Sequence, residues 1–321
     1  MKQLYVVDFS NFAYRYKSVY RLSYKNELGL NISTSILFGI ARTIEQAPFN
    51  DILLIIDGYP QTFSSLLPSY KGQRSRESDE TLSVPISDCL SFAYHYAKYL
   101  NKSVRVCCAP GQESDQVISS ICHLTSPNKN PLYDNFSCSL DISQDPYLSR
   151  TFTPSWTPKN TEFTADEVVV GTTDSDMYQL LQLPHVRISS KINGTEPYTK
   201  TTPAAVHHLP PGCIPAYKAI CGDISDNVPK VTSIKTSTVI DIIRGHLDTP
   251  SKFSLFLREL KSGQLSNNPL ILRLQKDVLP NLSQLLKNTQ ITTLSFYGKP
   301  IEVIPPDLKL EEFAAKTHLR I

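Results

Sequence analysis

Hydrophobic residues along the chain fall into short, nearly continuous runs, each closed by polar or acidic positions. Leu4–Val7 ends at Asp8, Ile52–Ile56 ends at Asp57, and Val104–Cys108 leads through Pro110 and Gly111 to Glu113. Val168–Val170 leads through Gly171 to Asp174, and a fifth, more polar run covers Val186–Ile192. Stretches with helical spacing lie between them. Thr34–Gln46 carries Ile36, Leu37, Ile40 and Ile44 on one side; Ile86–Leu100 follows; a third starts near Ser114 with Val117, Ile118 and Ile121. Continuous apolar runs mark strands buried on both faces. Strands alternating with helices predict an α/β fold with a mostly parallel sheet flanked by helices.

Two stretches break this rhythm. Ser126–Thr164 is rich in Pro, Asn, Ser, Thr and Asp, with scattered Tyr133, Phe136 and Trp156, and reads as an insertion over about 124–165. From about Thr201 the pattern changes to Pro-punctuated helices, which predicts a smaller helical part. The division is therefore 1–205 and 206–321. The tail holds amphipathic Phe253–Leu260 and Leu270–Leu286, strand-like Ile291–Tyr297 and a Pro-rich ending.

The placement of acids is the informative feature. Ligands of open parallel sheets bind at the carboxyl ends of the strands. Asp8, Asp57, Glu113 with Asp115, and Asp174 with Asp176 all sit at or just after such ends. Carboxylates that converge cannot all ionise unless cations neutralise them. Oxygen donors without His or Cys suit Mg²⁺ or Mn²⁺. Two such ions about 3.5–4 Å apart can hold both the attacking and the leaving oxygen of a phosphodiester. Any one of these acids is equally well explained as a turn former or helix N-cap. Caps explain their conjunction at four strand ends much less easily. Gly222-Asp223-Ile224-Ser225-Asp226-Asn227-Val228-Pro229 adds Asp223 and Asp226. Alone it reads as an Asx turn between helices; with the others it can supply two more acids to the same metals.

Composition adds a constraint. Lys plus Arg number 32 and Asp plus Glu 30, a net charge of +2, and only 19% of residues are charged, against about 25% in an average domain. A polyanion partner therefore has to meet positive charge that is local. Tyr70-Lys71-Gly72-Gln73-Arg74, with Arg76, supplies it: Lys71 and Arg74 suit phosphates and Tyr70 suits stacking on a base or sugar. Without the acids this segment reads as a solvated basic loop. Arg15 follows Asp8 by two helical turns, Lys218 precedes Asp223, and Lys230 and Lys235 follow the acidic turn.

The apolar runs fall far short of the ~20 residues needed to cross a bilayer. The N-terminus passes from Lys2 into a strand-like run that ends in an acid, not into a signal sequence, so no membrane association and a cytoplasmic location are expected. Seven cysteines without paired spacing predict reduced thiols. His207, His208 and Cys213 lack a suitably spaced fourth ligand and read as a solvated loop. No Walker-type phosphate loop, zinc-protease helix or serine-nucleophile elbow is present.

Together these residues resemble the 5′-nuclease family, which comprises bacteriophage 5′–3′ exonucleases and flap endonucleases, the polymerase-linked bacterial 5′-nuclease domain and, more distantly, eukaryotic flap endonucleases. The matching segments are Val7-Asp8-Phe9-Ser10-Asn11 through Tyr14-Arg15, Ile56-Asp57, Tyr70 to Arg74, Glu113-Ser114-Asp115, Thr173-Asp174-Ser175-Asp176 and Lys218 to Pro229. They follow the family's order over about residues 4–245. The Lys218 to Pro229 segment is the most specific of them, and Asp-x-Asp the least.

The resemblance implies a PIN-like nuclease core, a helix–hairpin–helix-type DNA-binding module and a helical arch over about 71–100. It implies a divalent-metal-dependent 5′–3′ exonuclease or structure-specific flap endonuclease using two Mg²⁺ or Mn²⁺ ions. Asp8, Asp57, Glu113, Asp115, Asp174 and Asp176 would surround the metals, with Asp223 and Asp226 completing the second site. Lys71 and Arg74 would bind the scissile phosphate, Tyr70 the terminal nucleotide, and Arg15 and Lys218 further DNA; Lys230 and Lys235 could contact phosphate by charge. The implied partners are DNA with a 5′ flap, nicked or branched duplex, or an RNA–DNA primer junction, in replication or repair in a bacterial or phage-infected cell.

Three departures stand out. Gln116 occupies a position where phage and bacterial relatives usually carry a second consecutive Asp. Lys230-Val231-Thr232-Ser233-Ile234-Lys235 replaces the usual hairpin glycines, and residues with a Cβ tolerate positive φ poorly, which disfavours a potassium site. The insertion has no matching counterpart; it is a candidate surface for a replication protein partner and reads slightly better as a tolerated surface loop. The competing readings are a PIN-type ribonuclease, which leaves Lys218 to Pro229 unexplained, and a DNA-junction-binding protein without catalysis, which Gln116 permits.

Overall fold

Leu4 and Val6 face one side of the first strand, Tyr5 and Val7 the other, and all four are buried, so this strand is covered by a layer on each face. In the computed structural model, residues 2–13, 34–58, 69–72, 76–109, 112–125, 165–191, 194, 207–228, 230, 235–244 and 301–303 are described. The strands are β1 (Gln3–Asp8), β2 (Asp51–Ile55), β3 (Ser103–Cys108), β4 (Glu167–Gly171), β5 (Val186–Ser189) and β6 (Ile301–Val303). They form one sheet in the order β5-β4-β1-β2-β3-β6. The first five are parallel, and β6 runs antiparallel to β3 with Val106 opposite Val303.

The helices are α1 (Thr34–Gln46), α2 (Arg76–Tyr99), α3 (Ser114–Leu124), α4 (Ile214–Cys221) and α5 (Thr236–Arg244), with a 3-10 helix at Asp176–Gln182. Residues 9–13 are also helical. On one face Tyr5, Val7, Ile52 and Leu54 pack with Ile36, Leu37 and Ile40 of α1 and Phe92 and Tyr96 of α2. On the other, Leu4, Val6, Leu53 and Ile55 pack with Val117, Ile118 and Ile121 of α3, Leu180 and Leu181 of the 3-10 helix, and Ile214 of α4. The expected flanked parallel sheet is thus present, and α4 packs against it through Ile214.

Several boundaries differ from the sequence reading. α2 starts at Arg76, ahead of the expected Ile86. Within the span 71–100 expected to form an arch, Cys89, Leu90, Phe92, Ala93, Tyr96 and Ala97 are core residues. β5 closes at Ser189. The Ile291–Tyr297 strand, the insertion and the two amphipathic tail stretches lie outside the described residues. A strand forms at Ile301–Val303, in the Pro-rich ending. It covers β3, whose outer N–H and C=O groups would otherwise form an open sheet edge. The stretch drawn as 206–321 therefore contributes a strand to the sheet of the first part.

Tyr5 packs its ring over Gly171 of the neighbouring β4. Its ring stacks on Phe49 with centroids 4.9 Å apart, and its hydroxyl donates to the Lys191 carbonyl at 3.4 Å. A Cβ at Gly171 would lie 2.3 Å from that hydroxyl oxygen and 2.9 Å from Cζ, so the space over β4 belongs to the ring. Gly171→Ala is expected to lower the unfolding free energy by about 1–3 kcal/mol through overpacking, measured by denaturant titration. An unchanged midpoint would contradict this packing.

Candidate functional site at the carboxyl edge of the sheet

Parallel register brings the strand ends to one edge, and the acids come with them. Asp8 closes β1 opposite Ile55, Asp57 follows β2, Glu113 caps α3 after β3, and Asp174 follows β4. Asp8 is 2% exposed. Its Oδ1 accepts from the Ser114 hydroxyl at 3.0 Å and its Oδ2 from the Thr172 hydroxyl at 3.0 Å. Asp57 Oδ1 accepts from the Ser114 N–H at 2.7 Å, and the Asp57 N–H donates to the Ser10 hydroxyl. The Asp174 N–H donates to the Thr172 hydroxyl, and Asp174 Oδ1 accepts from the Asp176 N–H at 2.9 Å. Asn11 Oδ1 accepts from the Thr173 hydroxyl at 2.6 Å. Sequence reasoning did not single out this shell of Ser10, Asn11, Ser114, Thr172 and Thr173, although Ser10, Asn11, Ser114 and Thr173 stand inside the matched motifs.

The electrostatics record the crowding. Burial pushes the Asp8 carboxyl up, and the Asp57 and Asp174 carboxylates push it further; the Thr172 hydroxyl partly offsets them. Burial also raises Asp115, with Asp174, Asp8 and Glu113 adding to the rise. Glu113 is raised by burial despite its lysine partner. These directions mean that a fully ionised edge needs added positive charge.

Two lysines supply part of it. Lys71 pairs with Glu113 and lies 3.7 Å from Asp226 Oδ1. Lys218 pairs with Asp176 and lies 2.6 Å from Asp223 Oδ2. Burial would raise Asp223, but Lys218 and the Ser225 hydroxyl and N–H outweigh it and hold that carboxyl below its usual range. Asp223, Asp226 and Asp176 are the one group of three potential metal-ligating side chains with donor atoms within 4.8 Å of one another among the described residues. Their all-oxygen donor set fits Mg²⁺ or Mn²⁺.

The loop carrying Tyr70 and Lys71 is clasped to the Asp223–Val228 turn. That turn is closed by paired backbone bonds of 2.9 and 2.8 Å between Asp223 and Val228. The Lys71 N–H donates to the Asp226 carbonyl at 3.1 Å, and Asn227 Nδ2 donates to the Ser69 carbonyl at 2.7 Å. Asn227 and Lys71 both adopt left-handed conformations, φ 58 and 51. Such a backbone is uncommon outside glycine, and asparagine tolerates it best.

Tyr70 does not stand out as a stacking platform. It is 7% exposed, and its hydroxyl lies 2.7 Å from Glu113 Oε2 and 3.3 Å from Asp226 Oδ2. Gln116 is fully buried, and its Oε1 accepts the Glu113 N–H at 3.1 Å, so the residue that departs from the family pattern caps α3. Lys230 and Lys235 are exposed beside the turn, and Arg15 and Arg74 lie outside the described residues. His207 Nε2 is 3.0 Å from the Tyr217 hydroxyl, and Cys213 is buried. No helix among the described residues is long and apolar enough to cross a membrane.

No family model and no curated protein matches the chain. Among solved structures it is similar to the bacteriophage T5 D15 protein co-crystallised with metal ions, with a TM-score of 0.51 and 19% identity over 92% of this chain and 91% of that one. It is also similar to a variant T5 D15 flap endonuclease in a pseudo-enzyme-product complex with DNA and metal ions, with a TM-score of 0.52 and 19% identity over 92% of this chain and 90% of that one. The chain shares the PIN-like α/β fold of these two structures.

The Tyr70 bridge gives a direct test. Tyr70→Phe removes the one hydroxyl shared by Glu113 and Asp226 and is expected to cost about 1–3 kcal/mol in metal-free protein, read by denaturant unfolding. A loss within error of zero would mean that the bridge contributes nothing.

Proposed function

We propose that the chain is a divalent-metal-dependent 5′-nuclease, a 5′–3′ exonuclease or structure-specific flap endonuclease acting on phosphodiesters of DNA or RNA–DNA junctions. One observation carries the reading: the acids at the strand ends, the basic Tyr70–Lys71 loop and the Asp223–Asp226 turn are joined at a single edge. A fold shared with a flap endonuclease seen with DNA and metal ions supports it.

In this reading Asp176, Asp223 and Asp226 would hold one Mg²⁺ or Mn²⁺, and Asp8, Asp57, Glu113, Asp115 and Asp174 would hold the other. Bound ions of this kind supply a nucleophile at neutral pH and stabilise charge on the attacking and leaving oxygens. The chain's own residues do the rest. Lys71 and Arg74 bind the scissile phosphate and stabilise charge that develops on it. Ser114 and Thr172 orient the Asp8 carboxylate by donating to both of its oxygens. Arg15, Lys218, Lys230 and Lys235 contact backbone phosphates, which position the nucleic acid without reading sequence. The substrate is a 5′ flap, a nicked or branched duplex, or an RNA–DNA primer junction, which places the activity in replication or repair. The segment 124–165 is a candidate surface for a replication protein.

Asp174→Asn is expected to reduce cleavage of a labelled 5′-flap substrate in Mg²⁺ or Mn²⁺ by about 100-fold or more. Flap binding, measured by fluorescence anisotropy, should stay close to that of the unaltered protein. Parallel loss of binding and cleavage would reassign Asp174 to a structural role.

A further inference from the structure

Lys218 sits on the last turn of α4, whose end is set by Gly222 at φ 79. Beyond that glycine the chain reverses, so that Asp223 returns to the Lys218 ammonium. Asp176 approaches the same ammonium from the start of the 3-10 helix. The Lys218 side chain is 8% exposed. Two of the three carboxylates that come within 4.8 Å of one another are therefore bridged by one buried cation of this chain.

An ammonium at hydrogen-bond distance and an Mg²⁺ at about 2.0–2.1 Å compete for the same carboxylate lone pairs. Two cations this close in a buried site also repel each other strongly. The acids are the less mobile side of the contest. Asp223 is held by the Ser225 N–H and hydroxyl and by the paired backbone bonds of its turn, and the Asp226 carbonyl is bonded to the Lys71 N–H. Lysine carries a flexible four-carbon stem and withdraws at little cost.

We propose that Lys218 is the resident countercation of the Asp176–Asp223–Asp226 group, which a divalent ion must displace, so that metal loading releases its ammonium for a substrate phosphate. The proposal rests on the metal-dependent nuclease reading and adds an order of events to it. Lys218 holds the acids together before the metal arrives and becomes a phosphate contact afterwards. The metal and the anionic substrate then favour each other's binding through this one side chain.

The test is a Mn²⁺ titration of the metal-free full chain by calorimetry, with bound Mn²⁺ counted by electron paramagnetic resonance. It compares the unaltered protein with K218M and K218R, and follows thermal unfolding with and without Mn²⁺. K218M is expected to bind the weaker equivalent of Mn²⁺ on the order of tenfold more tightly, a typical strength for coupling between sites. It should unfold at lower temperature in chelator and recover in Mn²⁺, whereas K218R, which keeps the charge, should bind no more tightly than the unaltered protein. If K218M folds only in Mn²⁺, that also supports the exchange, because the ion then replaces the missing charge. Unchanged or weaker Mn²⁺ binding by K218M, or equal destabilisation with and without Mn²⁺, overturns the proposal and leaves Lys218 as a structural ion pair. Failure of the unaltered protein to bind Mn²⁺ at all would instead overturn the metal-nuclease reading on which the proposal stands.

Discussion

Carboxylates gathered in a small volume repel one another, and that repulsion is the constraint around which this molecule is arranged. A parallel sheet directs every strand in the same sense, so residues that follow the strands meet at one edge whether or not their charges agree. Here Asp8, Asp57, Glu113 and Asp174 meet there with Asp115 and Asp176 beside them. Burial strengthens the conflict, which is why Asp8, Glu113 and Asp115 are all pushed toward their neutral forms. A site that served folding alone would not collect like charges where water cannot screen them.

The surrounding structure answers the repulsion in two ways. The Ser114 and Thr172 hydroxyls donate to Asp8, and the backbone N–H groups of Ser114 and Asp176 donate to Asp57 and Asp174 and hold them in place. Lys71 and Lys218 then bring positive charge to Glu113, Asp226, Asp176 and Asp223. Both lysines come from segments that the phosphodiester reading uses for substrate. The groups that balance the acids and the groups that would meet a phosphate are therefore the same, and the state of one is felt by the other. The clasp between the Tyr70–Lys71 loop and the Asp223–Val228 turn joins parts of the chain far apart in sequence by hydrogen bonds at the edge.

Much of this was legible in the sequence because burial on both faces writes strands as continuous apolar runs, and four of the five runs here end close to an acid. Leu4–Val7 and Ile52–Ile56 were read with boundaries close to those of β1 and β2 for that reason. Other features depend on contacts that no local pattern encodes. Tyr70 lies in a polar, basic segment and reads as exposed, yet its hydroxyl is drawn inward by Glu113 and Asp226. The lysine pairings join residues far apart in sequence, except for Lys218 and Asp223. Ile301–Val303 is too short to show alternation, and becomes a strand because β3 would otherwise have an open edge. The early start of α2 was hidden by polar residues and Pro85, which interrupt the apolar spacing before Ile86.

The proposed function has this edge hydrolyse nucleic acid phosphodiesters by reference to a 5′ end. The most direct measurement places the purified full chain with end-labelled 5′-flap, nicked, linear and RNA–DNA junction substrates, with Mg²⁺, Mn²⁺ or chelator, and maps the cut positions. Cleavage is expected to require a divalent ion and to fall at the 5′ terminus or at the junction of flap and duplex. Absence of cleavage on every substrate with either ion, or cuts scattered through single-stranded RNA without regard to a 5′ end, would contradict this function.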